Sequence, residues 1–321
     1  MIGDSHTDMA YPPNTHQASL LHELLDERGV ANTVVLYGRA QLNPTQMFGA
    51  IGNMESRYRP DMIVYNIYAD NDFAEMLRND DRPRLDTADG RTVFTPPNWN
   101  YYQPKPFKKF WPRDSWILIT LNSLTPDNML IKTMAAPKSI ELLSDSWIDG
   151  IRYLSDLYRM KDARIAYNGA VAAQYLNQHY LHRKYVAAFE KQVGFRIGLL
   201  NGLVAKTSAP VLFAWIPSAA AIGRIPPEDI PAHNDILKRT SVQGLTDSAI
   251  VLQEEKLKSM FVRGMTDMKG LIDCSGDFRN AKSAQGLYDK ETIHIQWDAR
   301  RILANKTADE IIRVARPRTA R

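Results

Sequence analysis

The chain has 321 residues, 44% of them hydrophobic, enough to bury a full core and to form one large α/β domain or two smaller ones. Lys and Arg total 40 against 36 Asp and Glu, a formal net charge of +4, and the basic residues are scattered beside acids. That is the pattern of a solvated surface, and it argues against a nucleic-acid footprint.

The opening run Met1-Ile2-Gly3-Asp4-Ser5-His6-Thr7 is a Gly-Asp-Ser turn preceded by two apolar residues. A turn at the end of a strand can present a reactive hydroxyl, here that of Ser5. Only Met1 and Ile2 precede Gly3, so the first strand is either very short or begins upstream, and an upstream segment could have carried an export signal. Leu20, Leu21, Leu24 and Leu25 share one helical face, and Gly29 is placed to end that helix. A strand predicted over Thr33 to Tyr37 delivers Gly38. A helix pattern through Met47, Phe48, Ile51 and Met54 leads to Pro60, and the apolar run Met62 to Tyr68 reads as a buried parallel strand. Asn71 follows it in Ala69-Asp70-Asn71-Asp72.

From about Asn79 to Ser139 the periodicity breaks down among prolines and aromatics such as Trp99, Tyr101, Tyr102 and Trp111, with a short strand pattern at Ile117 to Leu121. The bland reading of 79–139 is an irregular surface insertion with a small aromatic core. The functional reading is a lid or substrate platform. Helical patterns resume over Ile140 to Met160 and Ala163 to about Leu203, where Val186, Phe189, Val193, Ile197, Leu200 and Val204 make an apolar stripe that reads as core packing. Pro210 to Pro217 brackets a buried strand, Ile250 to Met268 a helix, and Leu271 to Asp273 a short strand. The lone cysteine, Cys274, rules out an intramolecular disulfide and reads as a small core residue near a strand end. Ala299, Ile302, Leu303, Ala308, Ile311 and Ile312 mark a closing helix, with His294 just before it.

Ser5, Gly38 and Asn71 therefore fall at the carboxyl ends of predicted parallel strands, where binding crevices form in open α/β sheets. A serine hydroxyl needs a base to take its proton during attack, and the histidine pKa suits that role. His294 is the best candidate. This ordered set, Gly-Asp-Ser, then Gly, then Asn-Asp, then an acid shortly before His, resembles the SGNH (GDSL-type) hydrolase superfamily, most closely over roughly the first hundred residues and the last forty.

The resemblance implies one 1–321 domain with the flavodoxin-like fold of that superfamily, a three-layer α/β/α sandwich with a mostly parallel sheet, carrying the 79–139 insertion. It implies a serine esterase that forms a covalent acyl-enzyme. Ser5 is then the nucleophile, and the Ser5 and Gly38 backbone N–H groups and the Asn71 amide are the oxyanion donors. The acid in such proteins stands three residues before the histidine, which here is Glu291, where aspartate is usual; Asp289 is the alternative. Substrates implied are small-molecule or glycan esters, short acyl groups among them. An O-acyltransferase using the same triad, and a non-catalytic carbohydrate-binding protein on a decayed scaffold, are the competing readings.

An α/β-hydrolase elbow requires Gly-x-Ser-x-Gly, but position 7 is Thr. His179 and His182 form a His-x-x-His pair without an evident third ligand, so no metal site is assigned, and no phosphate loop or dinucleotide fingerprint points to a cofactor. No run approaches the roughly eighteen apolar residues of a membrane span, and no charged-then-apolar leader precedes the first motif. Cytoplasmic and exported locations both stay open, as does the oligomeric state.

Overall fold

The computed structural model describes residues 1–3, 7, 16–38, 51–52, 54–69, 72–75, 84–88, 91–95, 186–240, 246–283, 286–289 and 294–315. In chain order these hold β1 (Ile2–Gly3), α1 (Gln17–Glu27), β2 (Tyr37–Gly38), β3 (Ile63–Tyr68), α2 (Asp72–Glu75), β4 (Arg84–Ala88), β5 (Arg91–Thr95), α3 (Val186–Val204), β6 (Val211–Ile216), α4 (Ile230–Thr240), α5 (Asp247–Gly264), β7 (Gly270–Asp273), α6 (Ser275–Asn280) and α7 (Trp297–Ala315). Five strands form one sheet in the order β2-β1-β3-β6-β7, and every pairing within it is parallel.

Both faces of that sheet are covered, which is why its central strands are apolar at nearly every position. On β3 and β6, Val64, Tyr68, Leu212, Ala214 and Ile216 face one cluster, with Leu20, Leu21 and Leu25 of α1 and Ala299, Leu303 and Ala308 of α7. Their alternates Ile63, Tyr65, Ile67, Val211, Phe213 and Trp215 face a second, with Phe189, Val193, Ile197 and Leu200 of α3 and Leu257 and Phe261 of α5. The stripe expected along α3 is buried at Phe189, Val193, Ile197, Leu200 and Val204, and Cys274 is fully buried directly after β7. Gly29 ends α1 with φ +74°, a left-handed conformation that favours glycine. Arg28 ties α1 to the last helix through Asp309 Oδ1 at 2.7 Å and Asn305 Oδ1 at 3.2 Å.

Several expectations shift. The strand expected over Thr33 to Tyr37 is only Tyr37–Gly38, because β2 pairs with β1 alone and β1 is two residues long. Contact starts at Met1, whose amine donates to Val35 O at 2.6 Å and whose carbonyl accepts from Tyr37 N–H at 2.8 Å. The helix expected from Ile250 begins earlier, at Asp247, where the Thr246 hydroxyl caps Ala249 N–H. It ends at Gly264 rather than Met268, since Asn201 takes the Asp267 N–H at 2.9 Å and holds the chain out of the helix. Within the stretch expected to be irregular, β4 and β5 form an antiparallel hairpin that sits against α3. The rest of 79–139, including Ile117 to Leu121, and the helix pattern at Ile140 to Met160 lie outside the described residues.

Candidate active site

A 2-1-3-4-5 order of parallel strands has its switch point between β1 and β3, where the chain leaves β1 to pair β2 on one side and returns to β3 on the other. A crevice outside the carboxyl ends of the strands is expected there. In sequence, Ser5 follows β1 by two residues and Asn71 follows β3 by three. Ser5, Asn71 and Glu291 lie outside the described residues, as do Asp4, His6, His179 and His182. The surroundings of the first two are described on both sides.

Gly3 stands in register with Gly38, so the two glycines are neighbours on adjacent strands at the carboxyl edge. Thr7 lies back over Gly3: a Cβ at Gly3 would overlap the Thr7 hydroxyl and come within 2.6 Å of Thr7 Cβ, so the close approach requires glycine. Thr7 is buried and its Oγ1 accepts from Asn66 Nδ2 at 2.9 Å; the same amide donates to Gln17 Oε1 at 2.6 Å. Asn66 is the polar residue on the α1 face of β3. It thereby ties Thr7 to Gln17, the first residue of α1.

Asn71 is bracketed in the same way. Ala69 N–H donates to Ile216 O at 2.9 Å, which extends the β3–β6 pairing past the strand, and the buried Asp72 carboxylate accepts Tyr68 N–H at 2.9 Å.

His294 sits three residues ahead of α7, in a segment that doubles back through an antiparallel bridge between Tyr288 and Ile295. Asp289 N–H donates to His294 O at 2.9 Å, and Gln296 N–H to Leu287 O at 2.7 Å. The buried Tyr288 hydroxyl donates to Pro217 O at 2.6 Å, just past the carboxyl end of β6. The tail histidine is thus tied to the edge of the sheet at which β1, β2 and β3 also end.

Burial holds the His294 imidazole below its usual pKa of 6.5; the Asp289 carboxylate pulls it up and the Arg300 guanidinium, in the first turn of α7, pushes it down. Asp289 is therefore an acid whose charge reaches the ring, and its Oδ2 is held by Gln296 Nε2 at 3.3 Å. An imidazole that stays neutral at neutral pH has the protonation state of a general base.

Sequence reasoning passed over Asn66, Thr7 and Tyr288. An Asn inside the otherwise apolar Ile63–Tyr68 strand was the available signal for the first, because a buried amide demands partners. Among the described residues no group of three or more His, Cys, Asp or Glu could hold a metal ion, and no helix is long and apolar enough to cross a membrane. No protein-family model, curated protein or solved structure matches the chain; its fold is an α/β arrangement with a five-strand parallel sheet flanked by helices.

Proposed function

We propose that the protein is a serine esterase of the SGNH type, in which Ser5 attacks an acyl ester, His294 takes and returns the proton, and water resolves the acyl-enzyme. The observation that carries this reading is the tethering of His294, through Tyr288 and Pro217, to the sheet edge at which β1 and β3 end. It is supported by Gly38 lying beside Gly3 at the carboxyl edge of the sheet, as a backbone N–H donor for the oxyanion requires. Ser5 N–H and the Asn71 amide complete the proposed oxyanion site.

Attack forms a bond from Ser5 Oγ to the acyl carbon while His294 accepts the hydroxyl proton, and the imidazolium then protonates the leaving alcohol. In the second half, His294 deprotonates water, which adds to the acyl carbon, and Ser5 is released with its proton restored. Asp289 is supported as the acid by its electrostatic reach to the ring. Glu291, three residues before His294, is the second candidate. The acyl carrier, small-molecule or glycan, follows from the family analogy alone.

The test is turnover of p-nitrophenyl acetate by the wild type, Ser5→Ala, His294→Ala, Asp289→Asn and Glu291→Gln. Loss of turnover in the first two variants, and in one of the two acid variants, is the expected pattern. A wild type that binds glycans without turning over any ester supports a carbohydrate-binding protein instead. Product formed only when an acceptor hydroxyl is supplied supports the O-acyltransferase.

A further inference from the structure

Glu254 is a fully buried carboxylate on α5 that the proposed chemistry does not use. It faces the corner where the chain leaves β6. Ser218 donates to it twice, from its hydroxyl to Oε2 at 2.6 Å and from its backbone N–H at 3.2–3.3 Å to the two oxygens. While its hydroxyl hydrogen points to Glu254, the Ser218 oxygen accepts Ala221 N–H at 3.2 Å, which starts a short turn that closes with Arg224 N–H donating to Ala219 O at 2.8 Å. The adjoining residue is Pro217, whose carbonyl receives the Tyr288 hydroxyl. A single dipeptide, Pro217-Ser218, is therefore gripped from one side by Glu254 and from the other by the segment that carries Asp289 and His294.

From this geometry we infer that Glu254 is a positioning residue for His294: its carboxylate fixes the Pro217-Ser218 corner on which the histidine segment hangs through Tyr288. The inference rests on His294 being the base of the reaction proposed above. Burial raises the Glu254 pKa from the usual 4.5 to about 7, opposed by the Ser218 hydroxyl and N–H and by the Lys258 charge, and assisted by Glu255. Lys258 and Glu255 both belong to α5, and Lys258 is itself held by Glu255 and by Asp273 of β7. The clamp therefore changes state near neutral pH. Protonation turns one carboxyl oxygen into a donor, so the Ser218 hydroxyl, which donates to the ionised carboxylate, must turn to accept from it.

The experiment is a pH titration of the full chain carrying 13C at histidine Cε1, with the His294 signal assigned by His294→Asn. Wild type, Glu254→Gln and Tyr288→Phe are compared, alongside the rate of fluorophosphonate labelling. Gln keeps the shape but cannot ionise, and Phe cuts the link at its other end. The wild-type His294 signal is expected to show its own titration plus a second inflection near pH 7. That inflection should vanish in both variants, with labelling slowed about tenfold or more. A His294 titration unchanged in folded Glu254→Gln or folded Tyr288→Phe, with labelling within twofold of wild type, overturns the inference. Should Glu254→Gln not fold, Tyr288→Phe decides by the same criterion. A wild type that never labels, yet whose second inflection is lost in the variants, keeps the positioning role and removes the esterase. Labelling that is insensitive to both variants does the reverse.

Discussion

The Glu254 carboxyl makes stability depend on pH in a way that can be isolated. Below pH 4.5 it is protonated in folded and unfolded chains alike. Between there and about 7 the unfolded chain releases its proton while the folded chain retains it, so unfolding gains ground as pH rises; above about 7 the effect is complete. Moving a pKa from 4.5 to about 7 at 1.36 kcal/mol for each pH unit corresponds to about 3 kcal/mol of folding stability lost across that window. That loss is a large share of the roughly 5–15 kcal/mol that holds a typical domain together. Urea unfolding at pH 5, 6, 7 and 8, followed by tryptophan fluorescence, gives wild type and Glu254→Gln curves in which all other titrating groups are shared. The difference between them should shrink or change sign by about 2–3 kcal/mol towards pH 8, in favour of the variant. Parallel curves would show that the folded chain does not hold a proton on Glu254, and the reasoning from its burial would fail.

Three other outcomes follow from the site. Gly3→Ala forces Thr7 off its seat and away from Asn66, so it should cost at least about 2 kcal/mol in urea unfolding; a loss under about 0.5 kcal/mol contradicts the close approach. Asn66→Ala leaves Thr7 and Gln17 without their shared donor and should destabilise by about 1–3 kcal/mol while slowing labelling of Ser5; a stable variant that labels at the wild-type rate contradicts the fastening role. On the proposed chemistry, the acid limb of the pH–rate profile for ester turnover should lie below pH 6.5, move further down in Asp289→Asn and move up in Arg300→Gln, because the carboxylate favours the imidazolium and the guanidinium opposes it. Movement in the opposite directions would show that these two charges do not face the ring.

The central strands were legible because burial on both faces leaves an unbroken apolar run, as in Val211–Ile216. The first and last helices were legible from their leucine and alanine faces. The hairpin of β4 and β5 was missed although Asp89-Gly90, a strong two-residue turn signal, separates its strands in the sequence. Length of β2 was unreadable from its own residues, since the short partner β1 sets it. Helix α4 escaped notice because Pro231 is its second residue and its pattern is largely polar, and α6 because six residues carry no periodicity. Glu254 resembles an ordinary surface glutamate, yet Ile250, Glu254, Leu257 and Phe261 share one face of α5, which was the sign that it lies inside. Of the candidate residues, Gly38, Asp289 and His294 fall among the described residues, and Ser5, Asn71 and Glu291 lie outside them.

The most direct measurement is peptide mapping of the protein after reaction with a fluorophosphonate probe, in the wild type and in His294→Ala. A phosphonate adduct on Ser5 that forms in the wild type and is lost or slowed at least a hundredfold in His294→Ala is the predicted result, since it requires head and tail of the chain to meet. An adduct on another serine, or one on Ser5 that forms equally fast without His294, contradicts it.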